Sequence, residues 1–181
     1  MNFIKKNYSN ILFVIIIGLM IYPPTKIYFI RLISFSPSEI KTENQQQITD
    51  VDWQLKGLNT KNINLQEIKN RVVFINFWAT WCAPCIAEMP SMQQLYEDYK
   101  TKVTFVFVTN EDWQTVSKFY IKRGFDFPTY NQVNNAPKDL ESRTIPTTYI
   151  LDKNKKIVVS KSGAANWNSA ATRKILDQFI Q

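Results

Sequence analysis

Apolar residues form short continuous runs in the central and C-terminal parts of the chain. The runs "RVVFINFWA" and "KVTFVFVTN" are rich in β-branched and aromatic residues, which is typical of strands buried on both faces. "TTYILD" and "KIVVSKS" predict two further strands, joined at a turn where Asn154 can adopt a left-handed conformation. The earlier stretch "VDWQLKGLNTKNINL" alternates between apolar and polar residues and predicts a short hairpin.

Apolar residues at helical spacing predict the helices. Three segments show this spacing: "PCIAEMPSMQQLYEDYK", "EDWQTVSKFYIKRG", where Gly124 can end the helix, and "SAATRKILDQFIQ". "APKDLES" predicts a short helix with Pro137 in its first turn. After the hairpin the order is β-α-β-α-β-β-α, which predicts an α/β fold with a central mixed sheet and helices on both faces. The first two long strands should be parallel and the last two antiparallel.

The N-terminal segment has a different pattern. Residues 11–22 are an apolar run, preceded by Lys5 and Lys6 and followed by a second apolar patch. The lysines predict a cytoplasmic N-terminus. The run is shorter than the roughly 20 residues of a membrane span and would suit a signal peptide, but no small-x-small cleavage site follows. We therefore predict an uncleaved signal anchor and keep a cleaved signal as the alternative.

These patterns divide the chain into four parts. We predict a cytoplasmic N-terminus over residues 1–9, a transmembrane anchor over residues 10–33, a polar linker over residues 34–49 and a folded domain over residues 50–181. The domain should then lie outside the cytoplasm, on a single-pass protein of the cell membrane.

Composition excludes several functions. The chain has no histidine, which excludes His-based acid–base catalysis, His-ligated haem and zinc sites built on His. The formal net charge is +7, but the basic residues are spread along the chain without interleaved aromatic residues. Nucleic acid is therefore not an expected partner.

The chain has two cysteines, Cys82 and Cys85, placed where a buried strand should end and a helix begin. A disulfide that closes so short a loop gives little chain-entropy benefit, and zinc would need two further ligands. A helix N-terminus instead lowers a thiol pKa, which predicts Cys82 as an exposed nucleophile and Cys85 as the thiol that attacks the mixed disulfide. Pro84 suits the first helical turn, and Trp78 and Trp81 should flank the site with apolar surface.

These residues carry a family resemblance. "FINFWATWCAPC" resembles the active-site strand and turn of the thioredoxin superfamily, and "WCAPCIAEMP" resembles its membrane-anchored TlpA/ResA-like branch of thiol:disulfide oxidoreductases. "GFDFPTY" and "TIPTTYILD" also match that branch in order. The resemblance implies a thioredoxin fold, a redox-active cysteine pair without metal or other cofactor, and a cis peptide bond at Ile145–Pro146 facing the cysteines.

The resemblance also bears on proton transfer. Thioredoxins have an Asp six residues before the first cysteine, where this chain has Asn76, which cannot carry a proton. The branch instead has a glutamate matched here by Glu88. In a partly apolar pocket its pKa should be raised, and it could exchange a proton with the thiols. The alternative is a solvated carboxylate near the helix start.

The resemblance implies a reductase of disulfides in exported proteins, for example in cytochrome c maturation. Electrons would come from a membrane thiol donor of the DsbD/CcdA type. A net oxidase of the DsbA type is one alternative. The other is a non-catalytic thioredoxin-fold module that binds Cu(I) or a protein partner.

The predicted anchor can be tested directly. We expect the N-terminus to remain attached in protein isolated from native membranes, because no cleavage site follows the apolar run. N-terminal sequencing of that protein measures this. A mature chain that starts within the predicted linker would show a cleaved signal instead.

Overall fold

The structure, a computed structural model, describes residues 2–181, with the side chains of residues 7–19, 22 and 25–181. Its strands are β1 (Gln54–Gly57), β2 (Ile63–Asn64), β3 (Val72–Phe77), β4 (Val103–Val108), β5 (Thr129–Gln132), β6 (Thr147–Leu151) and β7 (Ile157–Ser162). Its helices are α1 (Asn2–Ile21), α2 (Pro23–Ile33), α3 (Ala83–Tyr99), α4 (Trp113–Arg123) and α5 (Ala170–Ile180). The strands form one mixed sheet in the order β2-β1-β5-β4-β3-β6-β7.

The centre of the sheet is β3, all of whose residues are buried. It pairs in parallel with β4 and antiparallel with β6, and β6 pairs antiparallel with β7. The predicted parallel and antiparallel pairs are thus confirmed, and so is the hairpin of β1 and β2. A continuous apolar run was the right signal for β3, because both of its faces are covered.

The short strand β5 was not predicted. It pairs in parallel with β4 at Phe107 and Val108 only, and antiparallel with β1. Its residues include Asn131 and Gln132, and Pro128 precedes it, so it lacks the apolar run typical of a strand. The sheet neighbours, rather than its own composition, make it a strand.

Two apolar clusters cover the two faces of the sheet. On one face, residues of α3, α4 and α5 surround the aromatic side chains of Phe74, Phe105 and Phe107. On the other face Trp53, Leu65 and Leu140 cover the sheet, the last two from single-turn 3-10 helices. The crossovers through α3 and α4 move along the sheet in the same direction, which places both helices on the same face. Helices were predicted on both faces, but α3, α4 and α5 all pack on this one, and loops and 3-10 turns cover the other.

The N-terminal segment forms two helices that meet at Tyr22, and not a single helix over residues 10–33. Within the described part of the chain, no helix combines the length and apolar character that a membrane crossing requires. The predicted transmembrane segment is therefore not confirmed. Lys5 and Lys6, which supported it, lie outside the residues whose side chains are described.

The segment predicted as a polar linker lies along the sheet edge. The Ile40 amide donates to the Val158 carbonyl at 2.8 Å, and the Ile157 amide donates to Gln46 at 2.9 Å. Ile48 is buried in the second apolar cluster. These contacts cover the edge of β7, which would otherwise leave backbone groups open to pairing with another chain.

The turn between β6 and β7 differs from the prediction. Lys155, and not Asn154, has the left-handed backbone, with φ of 63°. The Asp152 carboxylate accepts from the amides of Asn154 and Lys156, each at 2.8 Å. These two bonds shape the turn, and the Lys155 ammonium group donates to the Ile68 carbonyl.

Gly57 allows a test of the hairpin. A Cβ at this position would overlap the Thr60 carbonyl, so we expect Gly57→Ala to destabilise the protein. Gly124→Ala is the matched control, because that glycine has φ of 71° but no heavy atom near an added Cβ. The control should cost about 1–2 kcal/mol from backbone strain alone, and Gly57→Ala should cost more in urea unfolding. Equal costs would contradict the close approach.

Candidate active site

The two cysteines lie where β3 leads into α3. Cys82 is the N-cap residue of α3, and its Sγ accepts the Cys85 amide at 3.2 Å. Pro84 occupies the first turn of the helix, as predicted. Unpaired amides and partial positive charge at a helix N-terminus stabilise a thiolate at this position.

In the structure Cys82 and Cys85 form a disulfide, with a Cα–Cα distance of 5.2 Å. Cys82 keeps 4% of its surface exposed and Cys85 only 1%. The prediction of an exposed Cys82 is therefore wrong for the disulfide form, although Cys82 is the more accessible of the two. The cause is packing, because both cysteines lie in the apolar cluster that includes Trp78 and Ala79.

A groove of about 650 Å³ opens beside the disulfide turn. Trp81 and Ile145 both line it, and Trp81 is 74% exposed. The Ile145–Pro146 bond is cis, which confirms the prediction. The groove therefore combines these two apolar side chains with polar ones such as Asn110 and Arg143. Trp78 also borders the groove, but it is buried, and its ring stacks on Tyr120 at a centroid distance of 5.6 Å.

Glu88 lies in a buried polar cluster that we call the carboxyl cage, formed by Glu88, Asn76, Ala165 and Trp167. Oε1 of Glu88 accepts from Nδ2 of Asn76 at 3.0 Å. Oε2 accepts from the Ala165 amide at 3.1 Å and from the Trp167 indole N–H at 2.9 Å. The carboxyl group is thus removed from water but surrounded by donors.

Burial raises the pKa of Glu88 from its ordinary value of 4.5 to about 8. The hydrogen bonds from Trp167, Ala165 and Asn76, and the charge of Lys161, act in the opposite direction without cancelling the burial. The prediction of a buried glutamate with a raised pKa is confirmed, and the alternative of a solvated carboxylate is wrong. Its proton-transfer role remains a prediction.

Two parts of the carboxyl cage could not be found from the sequence. Ala165 and Trp167 follow Glu88 by more than seventy residues and belong to a loop without a recognisable motif. Asn76 was noticed only as a residue that cannot titrate. In the structure its amide joins Glu88 to the Thr148 hydroxyl, with an Nδ2–Oγ1 distance of 2.8 Å.

Glu111 supports the active-site turn and was also missed. Its carboxylate accepts from the Thr80 amide and from the Thr80 hydroxyl, each at 2.6 Å. Glu111 follows β4 and Thr80 follows β3, and the carboxyl ends of parallel neighbours meet at the same sheet edge. That topology was the available signal, and it ties the turn before Cys82 to the adjacent strand.

Sequence comparison decides the family. A family model described as Redoxin matches residues 43–180 of the chain. The chain belongs to the Redoxin family. This Redoxin-family protein is 32% identical to the thioredoxin-like protein YneN of Bacillus subtilis over 154 aligned residues. The alignment covers 83% of this chain and 85% of YneN. It is 31% identical to the thiol-disulfide oxidoreductase ResA of Halalkalibacterium halodurans over 134 aligned residues. That alignment covers 72% of this chain and 73% of ResA.

Solved structures resemble this Redoxin-family protein in fold. StoA from Bacillus subtilis has a TM-score of 0.53 at 23% identity, with 71% of this chain and 95% of StoA covered. A secreted thiol-disulfide isomerase from Corynebacterium glutamicum has a TM-score of 0.58 at 22% identity, with 78% and 88% covered. The thioredoxin fold is confirmed, and homology to ResA confirms the predicted class of thiol:disulfide oxidoreductase.

The raised pKa of Glu88 predicts how the stability of the folded protein depends on pH. Since its pKa is about 8 in the folded protein against 4.5 ordinarily, the folded state binds more protons between these values. The free energy of unfolding of the oxidised protein should therefore fall as pH rises from about 5 to about 8. Glu88→Gln should remove most of this fall, measured by urea unfolding.

The chain has no histidine, so few other side chains change their charge between about pH 5 and about pH 8. The pH dependence of the free energy of unfolding in this range therefore reports mainly on Glu88. Glu67→Gln, at an exposed carboxylate, is the control and should keep the wild-type curve. A Glu88→Gln curve parallel to the wild type would contradict the raised pKa.

Proposed function

We propose that this protein reduces disulfide bonds of exported proteins through the Cys82–Cys85 pair. The observation that supports this most is the placement of Cys82 as N-cap of α3, with its Sγ against the Cys85 amide. A sulfur in that position is stabilised as a thiolate, which is the attacking species in thiol–disulfide exchange.

Reduction proceeds in two exchanges. The Cys82 thiolate attacks one sulfur of the substrate disulfide, so that a Cys82–substrate bond forms while the substrate S–S bond breaks. The other substrate sulfur leaves as a thiolate and takes up a proton. The Cys85 thiolate then attacks Sγ of Cys82 and releases the second substrate thiol. Two electrons pass from the dithiol to the substrate, and the protein is left with the disulfide seen in the structure.

Glu88 is the group that we propose accepts the proton of Cys85. Cys85 must lose its proton before it attacks, and a buried group with a pKa of about 8 is matched to that exchange near neutral pH. Glu88 lies three residues after Cys85 on α3, on the same side of the helix. Neighbouring carboxyl and thiol groups of this kind titrate as a coupled pair.

The groove beside the disulfide gives the substrate a place to bind. Trp81 and Ile145 offer apolar surface, and Asn110, Gln132 and Arg143 offer polar groups along the same groove. Exposed aromatic and aliphatic side chains beside hydrogen-bonding groups suit contact with a peptide segment. The proposed substrates are therefore cysteine-containing segments of proteins rather than small thiols.

We further propose a location outside the cytoplasm, with electrons supplied by a membrane thiol donor of the DsbD/CcdA type. Support comes from the apolar run of residues 11–22 and from the lysines before it. Maintenance of reduced thiols during cytochrome c maturation is the specific role that we propose, because relatives of this chain include ResA proteins.

Trapping tests the roles of the two cysteines. Cys85→Ser should accumulate mixed disulfides with a protein substrate, because the resolving thiol is absent, and Cys82→Ser should not. Non-reducing electrophoresis with reduced-and-denatured controls measures this. Equal trapping by both variants, or trapping by Cys82→Ser alone, would overturn the assignment of Cys82 as nucleophile.

Reaction rate tests the role of Glu88. We expect Glu88→Gln to slow insulin reduction and to shift the thiolate absorbance titration, because the proposed proton acceptor for Cys85 is removed. Glu67→Gln is the control and should keep the wild-type rate of insulin reduction and the wild-type thiolate titration. Superimposable titrations and equal rates would show that Glu88 takes no part in proton transfer.

A further inference from the structure

The loop between β7 and α5 reaches under α3 and contacts the carboxyl cage. It begins at Gly163, whose φ of 82° turns the chain away from β7. Trp167 is fully buried, and its ring meets Phe74 edge-on at a centroid distance of 5.1 Å. Its backbone amide donates to Oγ of Ser91 on α3 at 3.1 Å. Trp167 is therefore fixed at both its backbone and its ring.

The two oxygens of Glu88 have different kinds of partner. Oε2 faces the Trp167 indole N–H and the Ala165 backbone N–H, and neither group can accept a hydrogen bond. A proton on Oε2 would point at these two donors, and both donors are held in place. The carboxylic acid form of Glu88 must therefore carry its proton on Oε1.

Oε1 faces a partner that can change its role. The Asn76 side chain now donates through Nδ2 to Oε1, but rotation of its carboxamide would present an acceptor oxygen instead. The Thr148 hydroxyl on its other side can accept or donate, so it suits both orientations. Asn76 and Thr148 can thus satisfy Glu88 in either protonation state, which the Oε2 partners cannot do.

We infer that Trp167 is a positioning residue for thiol–disulfide exchange: with the Ala165 amide it occupies Oε2 and confines the exchangeable proton of Glu88 to Oε1, facing Asn76. The inference rests on the proposed function in which Glu88 exchanges a proton with the cysteines. Trp167 does not line the substrate groove, and its indole N–H bonds to Glu88, so it acts through Glu88.

Other charged groups near the carboxyl cage do not replace this arrangement. Lys161 on β7 favours the carboxylate through space. The Arg31 guanidinium group on α2 donates a hydrogen bond to the Ala87 backbone carbonyl at 3.3 Å, and not to Glu88. In the oxidised protein the cysteines do not titrate. Glu88 is then the group whose titration reports on the carboxyl cage.

Nuclear magnetic resonance spectra of the wild-type protein provide the first test. In the oxidised, isotope-labelled full-length protein, the Trp167 indole N–H and Asn76 side-chain amide resonances should shift with pH at the same midpoint as the Glu88 side-chain carbon. The Trp53 indole is an internal control, because it is buried on the opposite sheet face and has no hydrogen-bond partner among the residues that the structure describes. A Trp167 or Asn76 resonance that stays constant through the Glu88 titration would overturn the inference.

A variant provides the second test. Trp167→Phe keeps an aromatic ring but removes one donor to the carboxylate, so the Glu88 midpoint should rise by about one pH unit. The pH profile of insulin reduction should shift equally, and Trp53→Phe should change neither. An unchanged or lowered midpoint in Trp167→Phe would overturn the inference, and if that variant does not fold, the wild-type spectra decide.

The inference and the proposed function can fail separately. Equal rates of insulin reduction for Glu88→Gln and wild type would remove the proton-exchange role of Glu88 and with it the positioning role of Trp167, whereas disulfide reduction by the cysteines would stand. A Glu88 titration midpoint that is the same in Trp167→Phe as in wild type would overturn this inference, but the proposed exchange chemistry of the cysteines would stand.

Discussion

The enclosure of one carboxyl group, that of Glu88, joins three separate elements of the fold. Asn76 comes from the central strand, Glu88 from the helix that begins at Cys82, and Trp167 from the loop before the last helix. Burial of a carboxyl group without hydrogen-bond partners is unfavourable in either protonation state, so the packing of these three elements around Glu88 stabilises one arrangement. The same contacts therefore hold in place the carboxyl group that we propose exchanges a proton with the cysteines.

One helix places two ionisable groups in opposite environments. At its N-terminus, the dipole and free amides favour a negative charge on Cys82. Within its second turn, burial disfavours a negative charge on Glu88, so that its pKa is about 8. Pairs of groups whose environments separate their pKa values are how proteins assign donor and acceptor of a proton. The helix thus carries both the cysteine that we propose as nucleophile and the carboxyl group that we propose as proton acceptor for Cys85.

Local patterns predicted the features that depend on neighbours in sequence. The apolar run of β3, the spacing of Cys82 and Cys85, and the helix that follows were all visible in the chain. Features set by long-range contacts were not. β5 is a strand because β1 and β4 flank it, and Trp167 reaches Glu88 from a loop with no pattern of its own. The burial of Cys82 was missed because side-chain packing around the disulfide has no sequence signature.

The central claim is that the Cys82–Cys85 pair donates electrons to protein disulfides, and its equilibrium reduction potential tests this most directly. The measurement is equilibration of the full-length protein with glutathione buffers, followed by quantification of the alkylated dithiol form. A reductase should have a potential close to that of thioredoxin, about −270 mV. A potential near that of DsbA, about −120 mV, would show a net oxidant and contradict the account.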